Sequence, residues 1–355
     1  MDDDLWPGIE QIKDAVTEFS NIVDNKVGTQ YECEYNLDED GEKDELFALN
    51  GRFGIAFLMK NRHNDNDELC FRVWLKDVKT IDPRANLSER LKIISETLKS
   101  VHLPYFHDFF YMKKALRVGK KELPGIRMKW VDGLLLSEYV KDHASEPMVI
   151  EEIAQKFLAM CRDLKLQGIA HGDLSNKNIM VTYGNDLKLI DYDSVHVPRM
   201  GKRYYQVTGG ADGFQHPYRA AHSNELFTTV NDDNFSQQVI YLSLLAIARN
   251  PQLADKIDSD MLFIASDYRN DSTFTNSNGY KDIIAINDER LNMLLAELRR
   301  AVTQSYDKVR SIVDIVDEYQ AKTIWATYCG HCGHHFNNQT DKFCPDCGEK
   351  RQTLS

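Results

Sequence analysis

Apolar residues recur along the chain with two different periods, and the changes of period mark out its elements. Ile9, Ile12, Ala15, Val16, Phe19, Ile22 and Val23 fall at helical spacing, which predicts a helix over 8–24 with Trp6-Pro7 anchoring its start. Residues 32–46 hold eight acidic residues and one lysine and read as a solvated loop. Segments 46–60 and 68–78 read as strands. Over 86–100, Leu87, Leu91, Ile94 and Leu98 form a helical stripe that Asn86 or Ser88 can cap. Residues 104–140 read as strands and a connector, and 151–167 as a helix with Ile153, Phe157, Leu158, Cys161 and Leu164 inward. Ile179–Val181 and Leu187–Ile190 flank the polar turn Tyr183-Gly184-Asn185-Asp186, a hairpin pattern. The run Val239–Ala248 is nearly apolar all round and predicts a buried helix. A polar cluster at 271–279 reads as a loop. Beyond it, Leu291, Leu294, Leu295, Leu298 and Val302, then Val309, Ile312, Val313, Ile315 and Val316, predict two amphipathic helices.

The length of 355 residues suggests two or three domains, and 42% hydrophobic residues can fill a sizeable core. A net charge of −12 argues against general binding to nucleic acid or anionic membranes. Met1-Asp2-Asp3-Asp4 lacks the basic and apolar regions of a signal peptide, and the longest apolar run is about half a membrane span. The expectation is therefore a cytoplasmic protein. Four of the seven cysteines cluster near the C-terminus; Cys33, Cys70 and Cys161 read as buried thiols.

The chemistry concentrates around the hairpin. Asp173 and Asn178 precede it and Asp191 follows it. Phosphoryl transfer needs such a set: one carboxylate to position the attacking hydroxyl, and an amide with a second carboxylate to hold magnesium on the phosphates. His171-Gly172-Asp173 with Asn178 five residues on, and Asp191-Tyr192-Asp193 after the hairpin, resembles the catalytic stretch of the protein-kinase-like superfamily. Asp233-Asn234-Phe235-Ser236 resembles the start of that superfamily's central buried helix.

The resemblance implies further roles. Gly51 and Gly54 match the second and third glycines of a phosphate-covering loop. Arg72 or Lys76, four apart on one strand, would pair with the α- and β-phosphates, steadied by Glu89, which is preferred over Glu96 on the same helix face. Met128 would border the adenine pocket, with the backbone of Lys129 and Val131 at the adenine edge. Lys177 would serve the γ-phosphate, and His171 would brace the loop from the core. Asp193 stands where the family has glycine, and Gly172 where many protein kinases have arginine.

Cys329-Gly330-His331-Cys332 and Cys344-Pro345-Asp346-Cys347 form two Cys-x2-Cys knuckles, a strong zinc pattern. Four thiolates would fill a tetrahedral Zn²⁺ site, which makes the metal structural; His331, His334 and His335 read as neighbours and not ligands. Together with Lys129-Trp130-Val131-Asp132-Gly133 and Phe214-Gln215-His216-Pro217, these motifs resemble bacterial kinase-like proteins of tellurium-resistance-type stress operons that end in a zinc ribbon.

The expected fold is α+β: a two-lobed kinase-like body, with an N-lobe over 1–130 and a C-lobe over 131–320, followed by a zinc ribbon over 321–355. The expected function is ATP- and Mg²⁺-dependent phosphoryl transfer to protein serine or threonine, itself included. Expected partners are a protein substrate or stress-operon proteins, with no nucleic acid and no membrane. The His-Gly-Asp form also suits a small-molecule phosphotransferase of the aminoglycoside or choline type. The thin glycine loop and Asp193 suit a pseudokinase that binds nucleotide without turnover.

Overall fold

The computed structural model describes residues 6–51, 53–76, 87–201, 203–336 and 341–351. Asn86, one of the two expected helix caps, lies outside them. The fold is mixed α+β. The N-terminal region is built on a sheet, the following region is mainly helical, and a small cysteine-rich unit ends the described chain.

The chain opens with helix α1 (Ile9–Thr17), a 3-10 turn, and helix α2 (Asn25–Gln30). The single helix expected over 8–24 is broken at Glu18, whose backbone turns extended, and the Asp24 side chain caps α2. Trp6 does anchor the start, donating its indole N–H to the Trp74 carbonyl at 3.0 Å. Strands β1 (Tyr31–Cys33), β2 (Tyr35–Leu37), β3 (Lys43–Leu46), β4 (Ala48–Asn50), β5 (Gly54–Asn61) and β6 (Asn64–Trp74) follow. The acidic stretch 32–46 is therefore not a plain loop. It carries the β2–β3 hairpin, whose turn is closed by Asp38 accepting from the Asp40 and Glu42 amides.

Helix α3 (Leu87–Val101) leads to β7 (Phe109–Val118) and β8 (Lys121–Lys129). The main sheet runs β1-β5-β6-β8-β7, with β4 also on β5, and its pairs are antiparallel. Strand alternation explains its two faces. Leu69, Phe71 and Val73 of β6 pack with Ile12, Val16 and Val27 of the N-terminal helices. Cys70 and Trp74 face the opposite side, toward α3 and the helical region. Arg72 falls between them in the same phase, so the alternation that buries Phe71 aims Arg72 inward.

A small sheet joins β9 (Gly133–Leu135), β10 (Ile179–Thr182) and β11 (Leu187–Leu189) in the order β11-β10-β9. The expected hairpin is β10–β11, with Ile179 opposite Leu189 and Val181 opposite Leu187. Helices α4 (Leu136–Asp142) and α5 (Pro147–Leu166) lie before it, and α6 (Pro217–His222) and α7 (Asn234–Arg249) after it. Every residue of α7 from Asn234 to Ala248 is buried, which is why the run carries no amphipathic pattern.

The polar stretch 271–279 is helical, unlike the expected loop. Asn270 caps α8 (Asp271–Asn276) and Ser277 caps α9 (Asn278–Ile286), each side chain accepting a backbone N–H. Residues that favour caps here punctuate two short helices. The expected amphipathic pair is α10 (Glu289–Thr303) and α11 (Ile312–Thr327). Helix α11 passes through position 320, the expected boundary, and runs on to the cysteine unit. Among the described residues no helix is long and apolar enough to cross a membrane.

Candidate active site

The loop before β10 is fixed by buried polar contacts. Asp233, at the start of α7, accepts the backbone N–H groups of His171 and Gly172 on its two oxygens. His171 is fully buried and its Nε2 donates to the Ile190 carbonyl at 2.8 Å, tying the loop to the end of β11. Gly172 has φ +77°, and a Cβ there would collide with the Ser194 carbonyl. No residue with a side chain fits this approach, which accounts for the glycine in His-Gly-Asp. The buried Arg219 donates to the Gly172 carbonyl and completes the clamp.

This frame presents the three expected residues together. Asn178 donates its amide N–H to the Asp173 carbonyl at 2.7 Å, which leaves the amide oxygen as a ligand for a cation. Asp173 Oδ1 accepts the Ala211 backbone N–H at 2.7 Å, which leaves Oδ2 for a hydroxyl. Burial pushes the Asp173 carboxyl up from its ordinary value; the positive side chains around it oppose this, and Asp191 adds to it. Asp191 sits at φ +64° between β11 and the 3-10 turn Tyr192–Ser194. Lys177 is exposed.

Across from this loop stands Arg72. Its Nη1 donates to Asp191 Oδ1 at 2.9 Å and its Nη2 to Asp193 Oδ2 at 2.8 Å. Burial opposes the guanidinium charge, but the two carboxylates outweigh it and hold Arg72 more firmly protonated than usual. Asp193 is itself buried, and burial pushes its carboxyl up to about 6 even though Arg72 pulls the other way.

Arg72 and Asp191 belong to two adjoining cavities. The larger has a volume of 530 Å³ and is walled by apolar side chains, among them Ala56, Cys70, Met128 and Met180. Lys129 at the end of β8 and Val131 on the connector after it line it, and Gly51, Gly54, Lys177 and Asn178 line it too. The smaller, of 170 Å³, brings Asp173 and Asp193 to Arg72 and reaches Thr208 and Ala211 of the segment that follows.

The two strand cations are placed differently. Strand β6 ends at Trp74, so Lys76 does not share its face with Arg72; Lys76 is exposed and lines neither cavity. The expected Glu89 partner is also corrected. Glu89 is exposed and lies against the Tyr204 hydroxyl, while Arg72 is held by Asp191 and Asp193. The neighbouring Arg90 is fully buried instead and donates to the backbone carbonyls of Ser194, Val195 and Tyr205. The contacts of Arg90, Arg219, Ala211 and Asp193 join residues far apart in sequence, and no local pattern predicts them.

No protein-family model matches the chain, and a comparison with curated proteins finds no match.

The second site is the cysteine cluster. The Sγ atoms of Cys329, Cys332, Cys344 and Cys347 all lie within 4.8 Å of one another, and all four are free thiols. Each knuckle closes on itself: Gly333 donates to the Cys329 carbonyl at 2.8 Å and Gly348 to the Cys344 carbonyl at 2.9 Å. Four converging thiols suit one tetrahedral metal ion such as zinc. His334 pairs with Asp346 at 2.8 Å and stands outside the cluster. Cys33 and Cys161 are buried free thiols, as expected, and Cys70 is half-buried in the cavity wall.

Proposed function

We propose that the protein transfers the γ-phosphoryl group of ATP to serine or threonine hydroxyls of proteins, itself included. In this reading the sheet region and the helical region are the two lobes of a kinase-like body, and the zinc ribbon recruits a protein partner. The observation that carries the reading is the convergence of Arg72, Asn178 and Asp191 on an apolar cavity of 530 Å³, with Asp173 meeting Arg72 and Asp191 in the adjoining cavity of 170 Å³.

Each residue has a task that its surroundings suit. The apolar walls beside Met128 fit a purine ring, with the Lys129 and Val131 backbone at its edge. Arg72 would bind the α- and β-phosphates through its fork of donors. Asn178 and Asp191 would hold Mg²⁺, a hard cation that takes oxygen ligands. The metal would neutralise charge on the phosphates during transfer. Asp173 would orient the acceptor hydroxyl through Oδ2 and take its proton; the burial that raises its carboxyl makes it a better acceptor. Lys177 would meet the γ-phosphate from the cavity rim.

One observation favours a second reading, a nucleotide-binding scaffold without turnover. The Ala211 amide occupies one oxygen of Asp173. A single experiment separates the readings. The protein is incubated with γ-labelled ATP and Mg²⁺, alone and with cell lysate, and the products are separated by gel and by thin layer. Label on protein is the expected result. Label on a small molecule would replace the acceptor class, and nucleotide binding without transfer would favour the scaffold.

A further inference from the structure

Arg72 is gripped by two carboxylates of unequal freedom. Asp191 has 45% of its side chain exposed; Asp193 has 7%. The turn that carries Asp193 is fixed on several sides. Tyr192 is buried, donates its hydroxyl to the Leu189 carbonyl at 2.9 Å and accepts from the His107 N–H at 3.1 Å. Arg90 holds the carbonyls of Ser194 and Val195. Among the described residues Asp193 Oδ1 is buried with no hydrogen-bond partner, so the ion pair through Oδ2 is the direct compensation of this carboxylate, with the nearby Arg90 charge adding to it.

These facts divide the work between the two acids. A residue that ligates a cation on the phosphates must loosen its hold on Arg72. Asp191, exposed and lining both cavities, is able to do so. Asp193 lines only the smaller cavity and is locked in its turn. The geometry points to Asp193 as the positioning carboxylate that keeps Arg72 in the nucleotide cavity when Asp191 turns to the metal. Helix α3 does not supply this group, because its Glu89 lies at Tyr204. The arrangement also accounts for arginine at position 72. A guanidinium presents two end nitrogens to two acids in fixed geometry, which a lysine ammonium does not.

The inference rests on the nucleotide-binding reading, and its test separates the two. Binding of a fluorescent ATP analogue to the full chain is titrated with Mg²⁺ for the wild type, Asp193→Asn and Glu89→Gln. Without Asp193 the arginine and the metal compete for Asp191. Asp193→Asn should therefore raise the Mg²⁺ concentration for half-maximal binding by roughly tenfold, the scale of one charge-assisted contact. Binding without Mg²⁺ should change much less, and Glu89→Gln should match the wild type. A merely structural loss would weaken binding in both conditions alike. Failure of the wild type to bind overturns the nucleotide reading and this inference with it. A wild type that binds, with an unchanged Mg²⁺ midpoint in Asp193→Asn, overturns the inference alone. A wild-type measurement needs no variant to fold: the Arg72 Nη protons, followed by nitrogen-15 NMR, should stay protected from exchange when Mg²⁺ and ATP are added. Their rapid exchange on that addition would contradict the assignment.

Discussion

Gly54→Ala tests the packing that seats Arg72. Gly54 begins β5 opposite Trp74, and its missing side chain leaves room for the arginine. A Cβ there would lie 2.8 Å from Arg72 Nε and 2.9 Å from the Val73 carbonyl oxygen. Ordinary contact begins near 3.4 Å, so each neighbour must yield by about half an ångström. The Val73 carbonyl belongs to a strand paired on both sides and resists movement. The Arg72 side chain is the softer partner, and its shift breaks the paired geometry to Asp191 and Asp193. Loss of one charge-assisted contact costs about 1.5–3 kcal/mol, roughly ten- to a hundred-fold in ATP affinity. The overpacked strand should also lose about 1–3 kcal/mol of stability. Gly51→Ala is the comparison within the same loop, since among the described residues its Cβ would meet the Gly54 carbonyl oxygen, at 3.2 Å, and no atom of Arg72. Affinity is read by anisotropy of a labelled ATP analogue with Mg²⁺, and stability by thermal unfolding. If Gly54→Ala binds within twofold of the wild type, or Gly51→Ala is the more damaging, the reasoning about Arg72 is wrong.

The remaining expectations concern the charges and the ribbon. Arg72→Ala should weaken ATP binding by roughly ten- to a hundred-fold, whereas Lys76→Ala should change it little, as expected for an exposed charge; equal losses in calorimetry would refute the single-anchor picture. Asp191→Asn should weaken binding more with Mg²⁺ than without it, because it removes a charge that faces the cation; equal losses in the two conditions would make Asp191 structural. Elemental analysis should find one zinc per chain, lost in Cys329→Ser or Cys344→Ser. Removal of zinc by a zinc-selective chelator, with Mg²⁺ kept in excess, should unfold the ribbon while ATP binding persists, and loss of ATP binding under those conditions would join the ribbon to the catalytic body.

Much of this architecture was legible because burial follows pattern. The β10–β11 hairpin, the nearly apolar run Val239–Ala248 of α7 and the knuckles of Cys329 and Cys344 each have a local signature that the fold leaves intact. The places where reading failed depend on partners distant in sequence or on caps. The 8–24 stripe continues through Glu18, where only the backbone reveals a break. The polar cluster at 271–279 is rich in loop residues because two helix starts follow each other there. Spacing alone put Lys76 in phase with Arg72, but the strand ends before it. The Glu89 expectation failed because a helix can turn either of two neighbouring side chains inward, and here the inward one is Arg90. The contacts of Arg72 with Asp193 and of Asp233 with Gly172 span 121 and 61 residues, and no local pattern reports them.

The central claim is that Asp173 positions an acceptor hydroxyl for phosphoryl transfer. Its most direct test is label transfer from γ-labelled ATP by the wild type and Asp173→Ala, at matched nucleotide occupancy. A positioned base contributes roughly 10²–10⁴-fold, so the variant should bind ATP nearly as well and transfer label at least about a hundredfold more slowly. Transfer at the wild-type rate with Asp173 absent would contradict the account.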